Sequence, residues 1–440
     1  MSPIIAICVV LQASVLCVAI RQVRGRFLGK LGCLFILMSF AYHGFTEIMQ
    51  TVFPDRNVLY RSLVTVEALD EWVMIVTGAI ALFAAVYLHR LRRYNRQDHL
   101  QAVLSSLSTS ALMRWPVLLG IGLLGFGVRV ALSDAAMTQG TVAGLAVQFT
   151  LLSFVLAMGG LCLNAPPRKM ILVSALFCGL LAITGARSQV FFLLLMSLSL
   201  IVRYGGDVRA RTVLSAGALI ALCFIAISGS RGAYGRFSDD DGVAQRLDAL
   251  GSGIRFQELA DSIIDDSVYR FDGNSYGAMV AGKQDQGYGI TGANQFLNTI
   301  AYMIPSFLNR GKLETEFYLR NEEAYQDNFF GFDDKLDYLS VFWSVLIGYI
   351  GWIGLLVTAP FLGWGFAALD NWLARTASIT SYLCGVTLSA IPLIMELGIA
   401  GIPGTLRGLA AILLLAHASK FLRKRSSIPG SANRFAVTSN

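Results

Sequence analysis

Apolar residues run along this chain in long blocks separated by short polar connections, at 3–20, 31–52, 69–88, 116–132, 141–163, 170–185, 188–203, 212–228, 339–365, 378–399 and 405–421. Most are close to the roughly 20 residues that a helix needs to cross about 30 Å of hydrocarbon. They are rich in Leu, Ala, Gly and Phe and lack the ten-residue alternation of outer-membrane strands, so they predict helices. The expectation is an all-α polytopic membrane protein with about 11 transmembrane helices (10–12) and one large external loop.

That loop is 229–338, the one long stretch without such a block. Within it, Leu247–Val268 repeats apolar residues at three and four positions between Asp, Glu and Arg, as an amphipathic helix does. Phe271 through Gly292 is rich in Gly, Asn and Tyr and reads as irregular backbone. Phe296–Leu308 reads as a short interfacial helix broken at Pro305. The chain therefore divides into helices one to eight over 1–228, the loop over 229–338 and helices nine to eleven over 339–424. A Ser/Pro/Gly/Asn-rich tail over 425–440 is expected to be disordered and cytoplasmic.

Composition agrees. Hydrophobic residues make up 55% of the 440 and charged residues 14%, with a mean hydropathy of +0.61. A soluble core cannot absorb that much apolar surface. The net charge of +7 would suggest nucleic acid if it lay on one face, but Lys and Arg sit beside block ends, so topology explains them and no nucleic-acid partner is expected. The first block is followed, not preceded, by Arg21, Arg24, Arg26 and Lys30, which predicts a retained helix rather than a cleaved leader. With eleven spans, the basic connections at 21–30, 89–99, 168–169, 203–211, 370–375 and 420–425 share one side. The positive-inside rule makes that side cytoplasmic and the N-terminus external. All seven Cys lie inside apolar blocks and are read as small core residues, neither a disulfide framework nor a metal site.

Two stretches on the predicted external face carry the most suggestive chemistry. One block ends Thr184-Gly-Ala-Arg187, and about forty residues later another ends Ser228-Gly-Ser-Arg231, followed by Tyr234 and Arg236. Gly permits a close backbone approach, the following helix start favours an anion, and a guanidinium matches two phosphate oxygens at once. Arg310, Lys312 and Arg407 are predicted on the same face, so the group suits a lipid-linked pyrophosphate. Arg129, alone at its boundary, reads equally well as snorkelling to lipid phosphates.

Other polar residues have plainer readings. Glu67, Asp70 and Glu71 share a face at the outer start of the third block, where they complement a helix dipole. Asp239, Asp240 and Asp241 fit a solvated turn better than a metal site, and no metal or cofactor is expected. His43, one turn from Glu47, reads as a packed, hydrogen-bonded histidine rather than a catalytic base. There is no P-loop, Gly-x-Ser-x-Gly elbow, His-Glu-x-x-His or Cys-x-x-Cys, so ATP-driven transport, serine hydrolysis and zinc proteolysis lack support.

Several segments, taken in order, resemble the Wzy-type polymerases of bacterial surface polysaccharides, the O-antigen, enterobacterial common antigen and exopolysaccharide polymerases. They are Thr184-Gly-Ala-Arg187-Ser with Val190-Phe-Phe-Leu-Leu-Leu-Met and Arg203-Tyr-Gly-Gly, then Tyr302 through Lys312, Ile347-Gly-Tyr-Ile-Gly-Trp-Ile-Gly354, and Glu396 through Arg407. The likeness covers about the last 270 residues. It implies a C-type glycosyltransferase fold in the bacterial inner membrane with its active site facing the periplasm. Such an enzyme moves a glycan from undecaprenyl pyrophosphate onto the sugar of a lipid-linked repeat unit, without nucleotide sugar, metal or cofactor. Implied partners are the undecaprenyl-pyrophosphate-linked glycans, membrane lipid, a flippase and a chain-length regulator.

Arg187 and Arg407 match the family's outward arginines, and Arg231, Arg236 and Arg310 follow on position and chemistry. Glu67, Asp70 or Asp239 would orient the acceptor hydroxyl. Three alternatives stay open: an O-antigen ligase that passes the glycan to lipid A, a non-catalytic assembly partner for a polysaccharide exporter, and a flippase or transporter for the same lipid. The last expects basic residues lining mid-membrane, where Lys and Arg are almost absent.

Overall fold

The computed structural model describes residues 1–56, 61–91, 271–292, 329–332, 341–376 and 379–389, with single positions between 120 and 268 and between 395 and 414. These residues form helices α1 (Pro3–Val23), α2 (Leu31–Val52), α3 (Val66–Arg90), α4 (Gly273–Asp285), α5 (Phe342–Arg375) and α6 (Ile379–Leu388). No strand occurs among the described residues. Helices α1, α2, α3 and α5 are each long and apolar enough to cross a membrane, and they coincide with the apolar blocks at 3–20, 31–52, 69–88 and 339–365. Of the blocks between 116 and 228 and at 405–421 only scattered positions are described, so the expected count of eleven lies outside the described residues.

Helix α3 is the centre of this bundle, with α1, α4 and α5 all packed on it. Its start is fixed by Thr65, whose hydroxyl accepts from the Ala68 amide at 3.2 Å. Small residues let its neighbours approach. A Cβ on Gly363 would lie 2.4 Å from the Phe83 carbonyl oxygen, and one on Gly32 would lie 2.3 Å from the Tyr87 ring. Between these contacts Phe35, Phe83, Phe342, Trp343 and Phe366 form an aromatic core with ring centroids 4.7–6.4 Å apart.

Two helices depart from regular geometry. Helix α2 contains a π turn at Ala41–Phe45, the wider winding that breaks the regular ladder. Helix α5 breaks at Gly351, whose φ of 69° is open to glycine. Phe342 and Phe366 would stand about 36 Å apart on a straight helix, yet both rings lie within 5.3 Å of Phe35. The helix therefore doubles back, and the single straight span expected over 339–365 is replaced by a bent one. Carbonyls beside the break find donors outside α5: Ile347 accepts from Gln284 Nε2 at 3.0 Å, and Gly348 from the Thr291 amide and hydroxyl at 2.9 and 3.0 Å.

The stretch 271–292, expected to be irregular, contains helix α4. Two forces override its glycine content. Asp272 caps the helix, accepting from the Ser275 amide at 3.1 Å and its hydroxyl at 2.6 Å. Gly273 and Gly277 are packing positions rather than turns: a Cβ on Gly277 would lie 2.2 Å from the Trp72 ring, and one on Gly273 2.6 Å from Val341. Along the opposite faces, Ile7, Val10 and Val18 of α1 and Ile353, Val357, Phe361 and Trp364 of α5 are exposed, the surface a lipid-facing helix presents. Cys8, Cys33 and Cys384 are buried as expected, whereas Cys17 is exposed on α1.

Gly277→Ala is expected to lower stability by about 1–3 kcal/mol through overpacking against Trp72, seen as a lower unfolding temperature of the detergent-solubilised protein. Gly365→Ala, which meets nothing within 4 Å, should leave the transition within about 0.5 kcal/mol.

Candidate functional site

The two ends of the bundle differ in charge. At one end, where α1, α3 and α5 finish and α2 begins, lie Arg21, Lys30, Arg90, Arg203 and Arg375. Asp370 organises it. Its Oδ1 accepts from the Leu31 amide at 3.1 Å and Arg203 Nη2 at 3.2 Å, and its Oδ2 from the Gly32 amide at 3.2 Å and the Tyr87 hydroxyl at 2.9 Å. It thereby caps α2 with a carboxylate, the charge that a helix start favours. Burial pushes the neighbouring Lys30 ammonium down, and the Asp370 charge works against that shift.

Toward the other end, where α2 finishes and α3 begins, a buried polar network joins α2, α3, α4 and the 53–65 connection. Asn274 of α4 is its pivot. Its Nδ2 donates to the His43 carbonyl at 2.9 Å and to Glu47 Oε1 at 2.7 Å. Its Oδ1 accepts from Trp72 Nε1 at 3.1 Å and lies 2.7 Å from His43 Nδ1. A carboxylate and a carbonyl only accept and an indole N–H only donates, so this amide has one possible orientation. His43 must then donate from Nδ1, so in the neutral ring Nε2 carries the lone pair. Nε2 is buried with no hydrogen-bond partner among the described residues, as is the Thr46 hydroxyl three positions on.

Arg61 closes the network. Its Nη2 reaches Glu47 Oε1 at 2.6 Å and Asp272 Oδ1 at 3.3 Å. Burial by itself pushes the guanidinium down; the Asp272 and Glu47 carboxylates more than offset that, so its pKa stands above the ordinary arginine value. With one cation and two carboxylates, the cluster carries a formal net charge of −1 and includes an imidazole nitrogen without a hydrogen-bond partner among the described residues. Such a site can orient hydroxyl groups and take up a proton; an anion would need further cations.

Of the residues singled out in the sequence, Glu67 is exposed in the first turn of α3, and Asp70 accepts from the Ser2 hydroxyl at 2.5 Å. Arg129, Arg187, Arg231, Tyr234, Arg236, Asp239, Arg310, Lys312 and Arg407 lie outside the described residues. His43 is packed and hydrogen-bonded, as expected, and it also retains a free ring nitrogen. Arg61, Asp272 and Asn274 were not anticipated. One signal for them exists in the sequence: Arg61 is a cation in a connection predicted to be external, where Lys and Arg are otherwise few.

Arg61→Ala strands the buried carboxylates of Glu47 and Asp272 and is expected to cost about 3–5 kcal/mol, read from thermal unfolding in detergent. In a double-mutant cycle with Glu47→Gln the two effects should be non-additive by about 0.5–3 kcal/mol.

No protein-family model, curated protein or solved structure matches the chain.

Proposed function

We propose that the chain is an inner-membrane glycosyltransferase that polymerises undecaprenyl-pyrophosphate-linked oligosaccharide repeat units at the outer leaflet of the cytoplasmic membrane. The observation that carries this reading is the doubled Thr/Ser-Gly-small-Arg at Thr184–Arg187 and Ser228–Arg231. Both copies end long apolar blocks on the predicted external face, and a guanidinium at that depth is unfavourable unless it meets an anion or a wet cavity. Arg236, Arg310, Lys312 and Arg407 extend the set toward the charge of a pyrophosphate.

Charge distribution in the bundle supports the same orientation. Arg21, Lys30, Arg90, Arg203 and Arg375 gather at one end, which the positive-inside rule makes cytoplasmic. The Glu47–Arg61–Asp272–Asn274 network then belongs to the extracytoplasmic half. Division of labour follows from sign. The arginines stabilise charge developing on the leaving pyrophosphate, and a net-negative hydrogen-bonding cluster suits the neutral, hydroxyl-rich acceptor sugar.

Arg187→Ala and Arg231→Ala are each expected to cut chain extension by roughly 100- to 1,000-fold. Cells carrying either variant should accumulate single-repeat lipid intermediates while the amount of protein in the membrane stays normal. Electrophoresis of the surface glycan reads the outcome; unchanged chain length in both variants would sink the proposal.

A further inference from the structure

We infer that His43 is the proton acceptor for the hydroxyl of the incoming sugar, with Asn274 as the residue that positions it. The inference rests on the glycan-transfer reading above and adds to it the group that takes up the acceptor proton. Three features of the network carry it. The tautomer is fixed, because Asn274 Oδ1 accepts from both Trp72 Nε1 and His43 Nδ1 while its Nδ2 is committed to the His43 carbonyl and Glu47. The remaining nitrogen, Nε2, is fully buried and has no partner among the described residues. A base held at one nitrogen and without a partner at the other is the arrangement that proton abstraction from a hydroxyl requires.

The surroundings favour the charge that would form. Beyond the Asn274 amide that holds the ring stand Glu47 on its own helix, Asp272 at the head of α4 and Arg61 from the connection before α3, together net negative, with the Asp272 charge acting on the imidazole. An imidazolium produced during reaction therefore meets opposite charge. His43 sits in the π turn of α2, so the ring is carried by backbone wound more widely than its neighbours. A buried nitrogen without a donor is unfavourable, and the Thr46 hydroxyl, directly after that turn, shares the condition.

The step balances. As the acceptor oxygen forms its bond to the anomeric carbon of the donor glycan, its proton passes to Nε2, and the carbon–oxygen bond to pyrophosphate breaks with the electron pair leaving on the phosphate. Nε2 then returns the proton to water.

The O–H donor that Nε2 awaits is either this sugar or an internal water, and two measurements separate them. The first uses the full chain in lipid nanodiscs carrying 15N-labelled histidine, with the His43 signals assigned by elimination through His89→Gln, His99→Gln and His417→Gln. At neutral pH the ring should be protonated at Nδ1 and bare at Nε2, and Asn274→Leu should lose that preference. Addition of undecaprenyl-pyrophosphate-linked repeat units, taken from cells blocked by Arg187→Ala, should move the Nε2 resonance. An Nε2-protonated or doubly protonated ring overturns the inference. So does an Nε2 signal indifferent to the lipid-linked units, which would mean that water alone occupies the site.

The second measurement is elongation of the same units in vesicles. Wild-type protein that extends nothing sinks the glycan-transfer reading itself. Wild-type elongation, with His43→Gln slowed roughly 100-fold or more in kcat per folded protein and KM changed less than about threefold, supports a proton-accepting role. Elongation by His43→Gln at the wild-type rate removes His43 from the chemistry and leaves the transfer reading intact. If His43→Gln does not fold, the resonance shift in the wild-type protein decides.

Discussion

One side-chain amide holds three helices in register. Asn274 takes four hydrogen bonds, two as donor to α2 and two as acceptor from α2 and α3. Burying an amide in an apolar bundle is unfavourable unless its hydrogen bonds are met, and here protein groups supply all four. That requirement fixes where α4 can lie. It also explains why Gly277 must be glycine-sized: Asn274 can reach Trp72 Nε1 only if the next turn of α4 rests directly on the indole.

Helix α4 is also what makes the irregularities of its neighbours tolerable. The π turn of α2 lies beside it, and the carbonyl of His43 within that turn accepts from Asn274. The break in α5 at Gly351 exposes carbonyls that Gln284 and Thr291, at and just beyond the end of α4, take up. Two departures from regular geometry in separate helices are thus compensated by one short, weakly apolar segment. Such departures inside a membrane bundle are tolerated where protein, rather than lipid, faces the freed backbone groups.

The same logic explains what the sequence could and could not convey. Helices α1, α2 and α3 are legible because burial in lipid demands unbroken apolar length, and that demand is local. Helix α4 is not legible. Its glycines look like turn residues, and only the positions of Trp72 and Val341, hundreds of residues or tens of residues away in sequence, show that they are contact surfaces. The fold in α5 hides for a similar reason: Ile347–Gly354 reads as ordinary apolar helix, and Gly351 becomes a break only when Thr291 supplies a donor. The site divides likewise. His43 and Glu47 are visible as a pair one turn apart, whereas Asn274 and Asp272, more than two hundred residues on, carry no local mark of joining them.

Comparison of the two buried arginine–aspartate pairs shows which cluster is structural. Arg203 and Asp370 are 3.2 Å apart, Arg61 and Asp272 3.3 Å. Around Asp370 each carboxylate oxygen accepts two donors, and two of the four come from the backbone start of α2. That carboxylate is used to capacity in holding α2 against α3 and α5. Around Asn274 the amide is equally complete, but what it completes is the orientation of a ring whose far nitrogen is left open. A fold that needed only to join α2, α3 and α4 could end the network at the Asn274 amide with an apolar residue in place of His43, avoiding the desolvation of a bare nitrogen. The difference lies in the kind of group held: the guanidinium against Asp370 keeps its charge, whereas the imidazole against Asn274 is a group that can take up and release a proton.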